Sequence, residues 1–161
     1  MILVADASAL IALSACSSLP LLDALFGTVL VPEAVYLEIS VGDKPDAKEL
    51  RKYLQGKVRH VDMRHFVYLD ACADAGETAA MVLCKELNAD YLLMDDKRGR
   101  KVAAINQIRT VGSMGVLLQA KRVGLIAAVA PLLAKIDTSP VFVSRKLIDT
   151  VLDLAGESGS L

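Results

Sequence analysis

Short runs of mostly apolar residues alternate with stretches of helical periodicity along the chain, and this alternation constrains the fold more than any other feature. Runs that suit buried strands occupy Ile2–Ala5, Thr28–Val31, Tyr91–Met94 and Ile108–Val111. Strands that are apolar almost throughout, rather than at every second position, are typical of parallel sheets covered by helices on both faces. The sequence therefore predicts an α/β fold, a three-layer αβα sandwich around a central, mostly parallel sheet.

The stretches between these strands carry helix signals. Gly27 closes one predicted helix, Pro32 stands where a first helical residue tolerates proline, and Gly42–Pro45 interrupts the pattern. A further short strand is predicted at Val58–Val61. The predicted helices span Ser8–Ala15, Leu19–Phe26, Glu33–Ser40, Ala47–Gln55, Asp74–Leu87, Lys97–Asn106, Gly112–Arg122, Leu125–Ile136 and Ser144–Ala155.

Length and composition suit one compact domain, which we place over residues 1–161. Of the 161 residues 54% are hydrophobic and 4% aromatic, and tryptophan is absent, so the core must be aliphatic. These proportions exclude a disordered or low-complexity chain. The 18 basic and 19 acidic residues nearly cancel. Any contact with nucleic acid must therefore come from a local basic patch rather than from overall charge.

The N-terminal residues are apolar, and Leu13–Cys16 looks like the cleavage box of a bacterial lipoprotein. No Lys or Arg precedes the apolar stretch, and Asp6 lies inside it, which disfavours an export signal. The longest uncharged run, Ala7–Leu22, is too short and too polar to span a bilayer. We therefore expect a cytoplasmic protein without a membrane segment. Three cysteines without C-x-x-C spacing predict reduced, buried thiols.

Acidic residues stand at the ends of two predicted strands. In parallel α/β folds ligands bind at the carboxyl ends of the strands. Asp6 follows the first strand directly, and Asp95-Asp96 follows the strand Tyr91–Met94. Glu38 and Glu77 lie on flanking predicted helices. Each acid also has an ordinary interpretation. Strand-end aspartates cap helices, Glu38 suits the edge of an apolar face, and Asp74-x-x-Glu77 is the pattern of a capping pair.

Taken together, these acids indicate a site. Asp6, Glu38, Glu77 and Asp95 would meet at one edge of the sheet, where each pair of carboxylates ~4 Å apart repels by about 4 kcal/mol at an effective dielectric constant near ~20. A hard divalent cation relieves that repulsion, and an oxygen-only ligand set favours Mg²⁺ or Mn²⁺. A cation with open coordination positions binds a phosphate oxygen and activates water for attack.

The acids stand in the first four of five recognisable segments. These are Val4-Ala5-Asp6-Ala7-Ser8-Ala9-Leu10, Val31-Pro32-x-x-Val35-x-x-Glu38-Ile39, Gly76-Glu77-x-x-Ala80, Leu92-Leu93-Met94-Asp95-Asp96-Lys97-x-Gly99-Arg100-x-Val102-Ala103 and Val111-Gly112-Ser113-Met114-Gly115-Val116-Leu117-Leu118. In their order and spacing these segments resemble PIN-domain ribonucleases, close to the VapC-like toxins of toxin–antitoxin pairs. The resemblance implies a PIN fold, metal-dependent RNA cleavage and an antitoxin partner. It assigns the metal-binding and catalytic roles to Asp6, Glu38, Glu77 and Asp95.

The chain departs from the family pattern at two places. Many PIN toxins have Asp where this chain has Glu77, and Thr-x-Asp where it has Met94-Asp95-Asp96. Either Asp95 or Asp96 would then face the metal, and adjacency to the strand favours Asp95.

Residues for substrate contact are predicted around the same strand ends. The run Lys97–Lys101 follows the aspartate pair, and its Arg98, Arg100 and Lys101 are either RNA phosphate contacts or a solvated helix face paired with those aspartates. Ser113 opens a predicted helix and would hold a phosphate or act as an N-cap. Ser8 is the corresponding hydroxyl near Asp6.

The resulting hypothesis is a Mg²⁺- or Mn²⁺-dependent endoribonuclease, the toxin of a toxin–antitoxin pair. The alternative is a catalytically inactive PIN-like module that binds RNA or protein. A receiver domain is disfavoured because Asp6 stands single, and a dinucleotide site because no G-x-G-x-x-G follows the first strand. A mean hydropathy of +0.46 fits a homodimer and an apolar partner peptide. The apolar positions of Ser144–Ala155 suit either that partner or the core.

Overall fold

The sheet is the centre of the fold. The computed structural model describes residues 1–41, 45–65 and 74–159, without the side chains of Pro45, Asp46 and His65. In the described residues five strands form one sheet in the order β3-β2-β1-β4-β5, with every neighbouring pair parallel. The α/β prediction is confirmed. The strands are β1 (Ile2–Ala5), β2 (Thr28–Pro32), β3 (Val58–Arg59), β4 (Tyr91–Leu93) and β5 (Thr110–Val111).

Helices fill the connections between the strands. The helix predicted at Glu33–Ser40 has those bounds in the structure, and most of the others shift by one or two residues at an end. A 3₁₀ turn at Met63–His65 was not predicted. The helices are α1 (Ala7–Ala15), α2 (Pro20–Phe26), α3 (Glu33–Ser40), α4 (Pro45–Tyr53), α5 (Ala75–Glu86), α6 (Lys97–Ile105), α7 (Ser113–Arg122), α8 (Ala130–Asp137) and α9 (Arg145–Ala155).

Alternate side chains of the central strands enter two separate cores. In β1, Leu3 and Ala5 pack into one core, whereas Val4 packs into the other. In β4, Leu93 joins the first core and Leu92 the second. Residues of α5 and α6 complete the second core, and the remaining helices complete the first. The sheet is therefore the middle of three layers, which confirms the predicted αβα sandwich.

The two edge strands are shorter than predicted. β3 ends at Arg59, which pairs with Pro32 at the end of β2. Proline has no N–H to continue the ladder. β5 begins at Thr110 rather than Ile108, because the amide of Ile108 donates to Ala103 O at the end of α6 (2.9 Å) and is not free for the sheet.

The largest error of the sequence prediction is the start of α8. The prediction placed it at Leu125, but the helix begins at Ala130. The Leu125 amide instead donates a hydrogen bond to Ala120 O at the C-terminal end of α7. Gly124, with a φ of +79°, makes the turn between them. Pro131 fits only the first turn of a helix, so it marks the true start. Pro32 likewise caps α3 rather than opening it. Of the predicted break Gly42–Pro45, residues 42–44 lie outside the described residues.

A carboxylate from the C-terminal segment caps α8. The amides of Val129 and Ala130 donate to the two oxygens of Glu157 at 2.8 Å each, and Lys121 Nζ donates to Glu157 Oε1 at 2.6 Å. Burial alone would raise the pKa of the Glu157 carboxyl, but Lys121 and the two amides lower that pKa to about 2. The segment that follows α9 is thereby tied to α7 and α8.

Replacing Glu157 by alanine is expected to lower the free energy of unfolding by about 1.5–3 kcal/mol, the usual contribution of hydrogen bonds to a charged group. Because the folded pKa is lowered from 4.5 to about 2, the stabilisation is present above the unfolded value and is lost as the pH falls toward the folded value. Urea unfolding at pH 7 and pH 3 measures both effects. Asp149→Ala, which removes an exposed ion pair with Arg145, should change stability by less than about 1 kcal/mol.

The described cysteine and histidine side chains, those of Cys16, Cys84 and His60, are not arranged as a soft-metal site. Cys16 and Cys84 are buried free thiols, whereas Cys72 lies outside the described residues. His60 is exposed, and its Nδ1 lies 3.0 Å from Glu33 Oε2. Thiol and imidazole ligands are thus not brought together in the described part of the chain.

No single helix in residues 1–41, 45–65 and 74–159 is both long and apolar enough to cross a membrane. The pair α1 and α2 reaches the required length and apolarity only when joined, and the two helices are bent by 116° at their junction.

Candidate acidic site at the carboxyl edge of the sheet

Asp6 is buried at the end of the central strand, with 3% of its surface exposed. Its amide donates to Leu93 O at 2.9 Å, which ties the turn after β1 to β4. Ser8 Oγ donates to Asp6 Oδ2 at 3.1 Å. Burial raises the pKa of the Asp6 carboxyl, the nearby Ala7 amide and Ser8 hydroxyl oppose that rise, and the charge of Asp74 adds to it.

The start of α5 brings a second buried carboxylate to this edge. Asp74 Oδ1 accepts from the Glu77 amide at 2.8 Å, and Glu77 Oε2 accepts from the Asp74 amide at 3.2 Å. This is the capping pair that the sequence suggested as the ordinary interpretation. Glu77 is nevertheless 6% exposed. Burial first, and then the charges of Asp74, Asp96 and Asp6, raise the pKa of its carboxyl to about 7.

A glycine in α6 makes room for Glu77. A Cβ atom on Gly99 would lie 2.8 Å from Glu77 Oε1 and 2.6 Å from Met94 Sδ. Real Cβ atoms do not come that close to other heavy atoms. The carboxylate of Glu77 therefore lies against the first turn of α6, where a side chain would displace it.

Glu38 of α3 faces the same edge. A Cβ atom on Gly76 would lie 3.0 Å from Glu38 Oε2 and 3.4 Å from Asp74 Oδ1, so these two carboxylates approach each other over Gly76. Partial burial, and then the charges of Asp74 and Asp6, raise the pKa of Glu38. We refer to the five coupled carboxylates as the acidic cluster, which consists of Asp6, Glu38, Asp74, Glu77 and Asp96.

The two adjacent aspartates after β4 have different partners. Asp96 is the N-cap of α6, where its Oδ1 accepts from the Gly99 amide at 2.7 Å, and its charge acts on Glu77. Asp95 instead accepts two hydrogen bonds from Ser113, from the amide to Oδ1 (2.7 Å) and from the hydroxyl to Oδ2 (2.6 Å). The electrostatic coupling therefore joins Asp96 to the acidic cluster, whereas Asp95 is bonded to the start of α7.

The predicted substrate residues surround this edge. Ser113 is buried and is the first residue of α7, with Gly112 at the N-cap, so the N-cap interpretation of Ser113 is wrong. Ser8 is exposed beside Asp6. Arg98, Arg100 and Lys101 are exposed on α6 and form no ion pair with another described residue, so the interpretation in which they pair with the aspartates has no support there.

The ligand types of the acidic cluster fit a hard divalent cation, because every candidate donor is a carboxylate oxygen. Asp6 and Glu77 are buried carboxylates with raised pKa values, and no ion pair between described residues neutralises them. In the described residues, however, no three Asp, Glu, His or Cys side chains are arranged so that they could hold one metal ion. The carboxylate oxygens are therefore the right ligand type for a hard divalent cation. To bind one ion together, the side chains of the acidic cluster would have to turn toward a common point.

Comparison with known families decides which kind of domain this is. The model of a family described as PIN domain matches residues 2–157. The chain belongs to the PIN domain family. PIN domains are generally nucleases, and PIN nucleases generally use divalent metals. No curated protein matches the chain.

Asp74 is the member of the acidic cluster that the sequence analysis did not assign to the site. The sequence marked it only as a capping residue. A signal was present nonetheless, because a capping box places its first residue at the same helix end as its fourth. Once Glu77 is a candidate for the site, Asp74 belongs beside it.

Proposed function

We propose that this PIN domain is a divalent-metal-dependent endoribonuclease that hydrolyses RNA phosphodiester bonds. Asp6, Glu38, Glu77 and Asp96 would hold Mg²⁺ or Mn²⁺. The observation that carries the proposal is the pair of buried carboxylates, Asp6 and Glu77, at the carboxyl edge of a parallel sheet without a cationic partner in the described residues. Burying such a pair is costly unless a cation compensates it.

When bound, the cation would supply Lewis-acid polarisation of the phosphate and a lowered pKa for attacking water. The chain's own residues do the rest. Ser8 orients Asp6 through its hydrogen bond to Oδ2. The carboxyl of Glu77, with a pKa of about 7, exchanges its proton near neutral pH and is ready to become a ligand. Ser113 fixes Asp95 beside the site. The exposed cations of α6 would bind flanking phosphates.

The alternative, a non-catalytic module that binds RNA or protein, is supported by one observation. The described carboxylates do not converge as metal ligands. A protein of this kind would keep the fold and its exposed cations but would not cut RNA, so the same cleavage assay separates the two functions.

The biological role we propose is that of a cytoplasmic toxin paired with an antitoxin protein, acting as a homodimer. The resemblance to VapC-like toxins supports it. The structure adds that Ile148, Val151 and Leu152 of α9 are buried in the core, whereas Leu147 and Leu154 are 43% and 71% exposed. The outer side of α9 therefore leaves apolar surface for a partner.

Cleavage of structured and unstructured RNAs in Mg²⁺, Mn²⁺ or EDTA tests the proposed function. The wild-type protein is expected to cut with Mn²⁺ or Mg²⁺ and not with EDTA. Asp96→Asn should lower the rate by more than about 10-fold, the least effect usual for residues around a metal. Asp95→Asn should stay within about 3-fold, because the amide can keep both hydrogen bonds to Ser113.

This matched pair, purified in the same way, also controls for a contaminating nuclease. If Asp95→Asn lost cleavage activity and Asp96→Asn kept it, Asp95 rather than Asp96 would be the metal ligand. A rate that is equal in EDTA, or equal in all three proteins, would contradict the proposal.

A further inference from the structure

Phe142 projects into solvent although it lies between two anchored residues. Its side chain is 91% exposed, the highest value among the large hydrophobic residues described. Its neighbours Val141 and Val143 pack against the first core. The Val141 amide donates to Ser139 Oγ at 3.1 Å, and Ser144 caps α9 immediately afterwards. The ring is therefore held outward from a segment that is fixed on both sides.

The Phe142 ring lines a groove of about 880 Å³, which lies within the usual size of ligand clefts, about 300–1,000 Å³. Asp95 and Ser113, at the carboxyl ends of β4 and β5, line the same groove. It also reaches Ser8, whose hydroxyl donates to Asp6 of the acidic cluster. A molecule lying in this groove would therefore extend from Phe142 to the acidic cluster.

The groove is lined by two carboxylates, Asp95 and Asp96, and by two cations, Lys97 and Arg100. Both oxygens of Asp95 accept hydrogen bonds from Ser113, and Asp96 Oδ1 accepts one from the Gly99 amide. Lys97 and Arg100 also line the groove, are exposed, and form no ion pair with another described residue. An exposed aromatic face, beside cations that form no ion pair with a described residue, is complementary to a base and its phosphates. An apolar peptide would leave these cations unpaired.

We propose that Phe142 is a stacking residue for a base of single-stranded RNA, held in the groove while Lys97 and Arg100 bind the adjoining phosphates. This inference rests on the proposed ribonuclease function and names how its substrate is positioned. It assigns to Phe142 a role in binding rather than in the reaction. Stacking on one aromatic side chain is worth about 1–3 kcal/mol per base, or about 5- to 150-fold in affinity.

Fluorescence anisotropy with labelled single-stranded RNA 10-mers in EDTA tests this role without cleavage. Phe142→Ala is expected to weaken binding by about 5- to 150-fold. Phe142→Tyr should bind within about 2-fold of wild type, and Phe142→Leu should bind as weakly as the alanine variant. Ile105→Ala, which removes another exposed apolar side chain (64% exposed) outside the groove, should bind like wild type. Lys97→Ala and Arg100→Ala should each reduce the salt dependence of binding by about 0.7 in log–log slope.

Equal binding by wild type and Phe142→Ala would overturn the inference, as would full binding by Phe142→Leu. So would a change in oligomeric mass of Phe142→Ala in sedimentation, which would place a second copy of the chain on this face. Metal-dependent cleavage is measured separately on the same preparations. A wild-type protein that cuts RNA while Phe142→Ala binds and cuts normally overturns the stacking role alone, whereas binding without cleavage by any protein overturns the nuclease alone.

Discussion

Replacing Asp6 by asparagine is expected to reduce metal-dependent RNA cleavage by at least about 100-fold, the upper range for residues that merely support a metal ligand. Asp6 lies directly after the central strand, is 3% exposed, and is coupled to Glu38 and Glu77. An amide keeps the shape and can still accept from Ser8, but it lacks the charge that attracts a cation. Initial rates at saturating Mn²⁺ measure the effect.

The fold is expected to survive this substitution. Burial raises the pKa of Asp6, so a neutral amide removes a cost of folding, and the melting temperature at pH 8 should be unchanged or higher. Glu33→Gln is the matched control, because Glu33 is an exposed acid at the start of α3 outside the acidic cluster. If Asp6→Asn cleaved RNA at the wild-type rate, or if Glu33→Gln lost as much cleavage activity as Asp6→Asn, the acidic cluster would not be the catalytic centre.

The layers of the fold could be predicted because local patterns determine them. Strand β1 is apolar on both of its faces, because Leu3 and Ala5 point to one side and Val4 to the other. Such a strand needs helices on both sides of the sheet. The ends of elements were less predictable where distant residues decide them. α8 begins at Ala130 partly because Glu157, far along the chain, accepts from its first amides. No local sequence pattern predicts this contact between Glu157 and the start of α8.

The candidate site was predictable by position and less so by orientation. Acids after β1 and β4 must reach the carboxyl edge of a parallel sheet, and Asp6, Asp95 and Asp96 do so. Which of two adjacent aspartates turns toward Glu77 depends on hydrogen bonds with Ser113 and Gly99, residues of two different helices. Adjacency to the strand pointed to Asp95, whereas the electrostatic coupling runs through Asp96. The assignment remains a prediction until the paired variants are measured.

Glu77 is expected to make the stability of the protein decrease with pH. Its pKa is raised from 4.5 to about 7 in the folded state, by burial and by Asp74, Asp96 and Asp6. The folded protein therefore binds more protons than the unfolded chain between these values. The contribution of Glu77 to stability is complete below the unfolded pKa, declines as the pH rises through the folded pKa, and is constant above it.

Glu77→Gln is expected to remove this dependence and to raise the free energy of unfolding at pH 8 by about 1–3 kcal/mol, while leaving it nearly unchanged at pH 4.5. The amide oxygen of glutamine can still accept from the Asp74 amide, so the capping box is kept. Urea unfolding of both proteins in EDTA at the two pH values measures the difference. If the variant and the wild type were equally stable at each pH, Glu77 would not be a buried ionised group. Because a cation binds the ionised form, the Mn²⁺-induced rise in melting temperature should grow through pH 7 in the wild type and be lost in the variant. A stabilised variant that still responds to Mn²⁺ like the wild type would place the cation elsewhere.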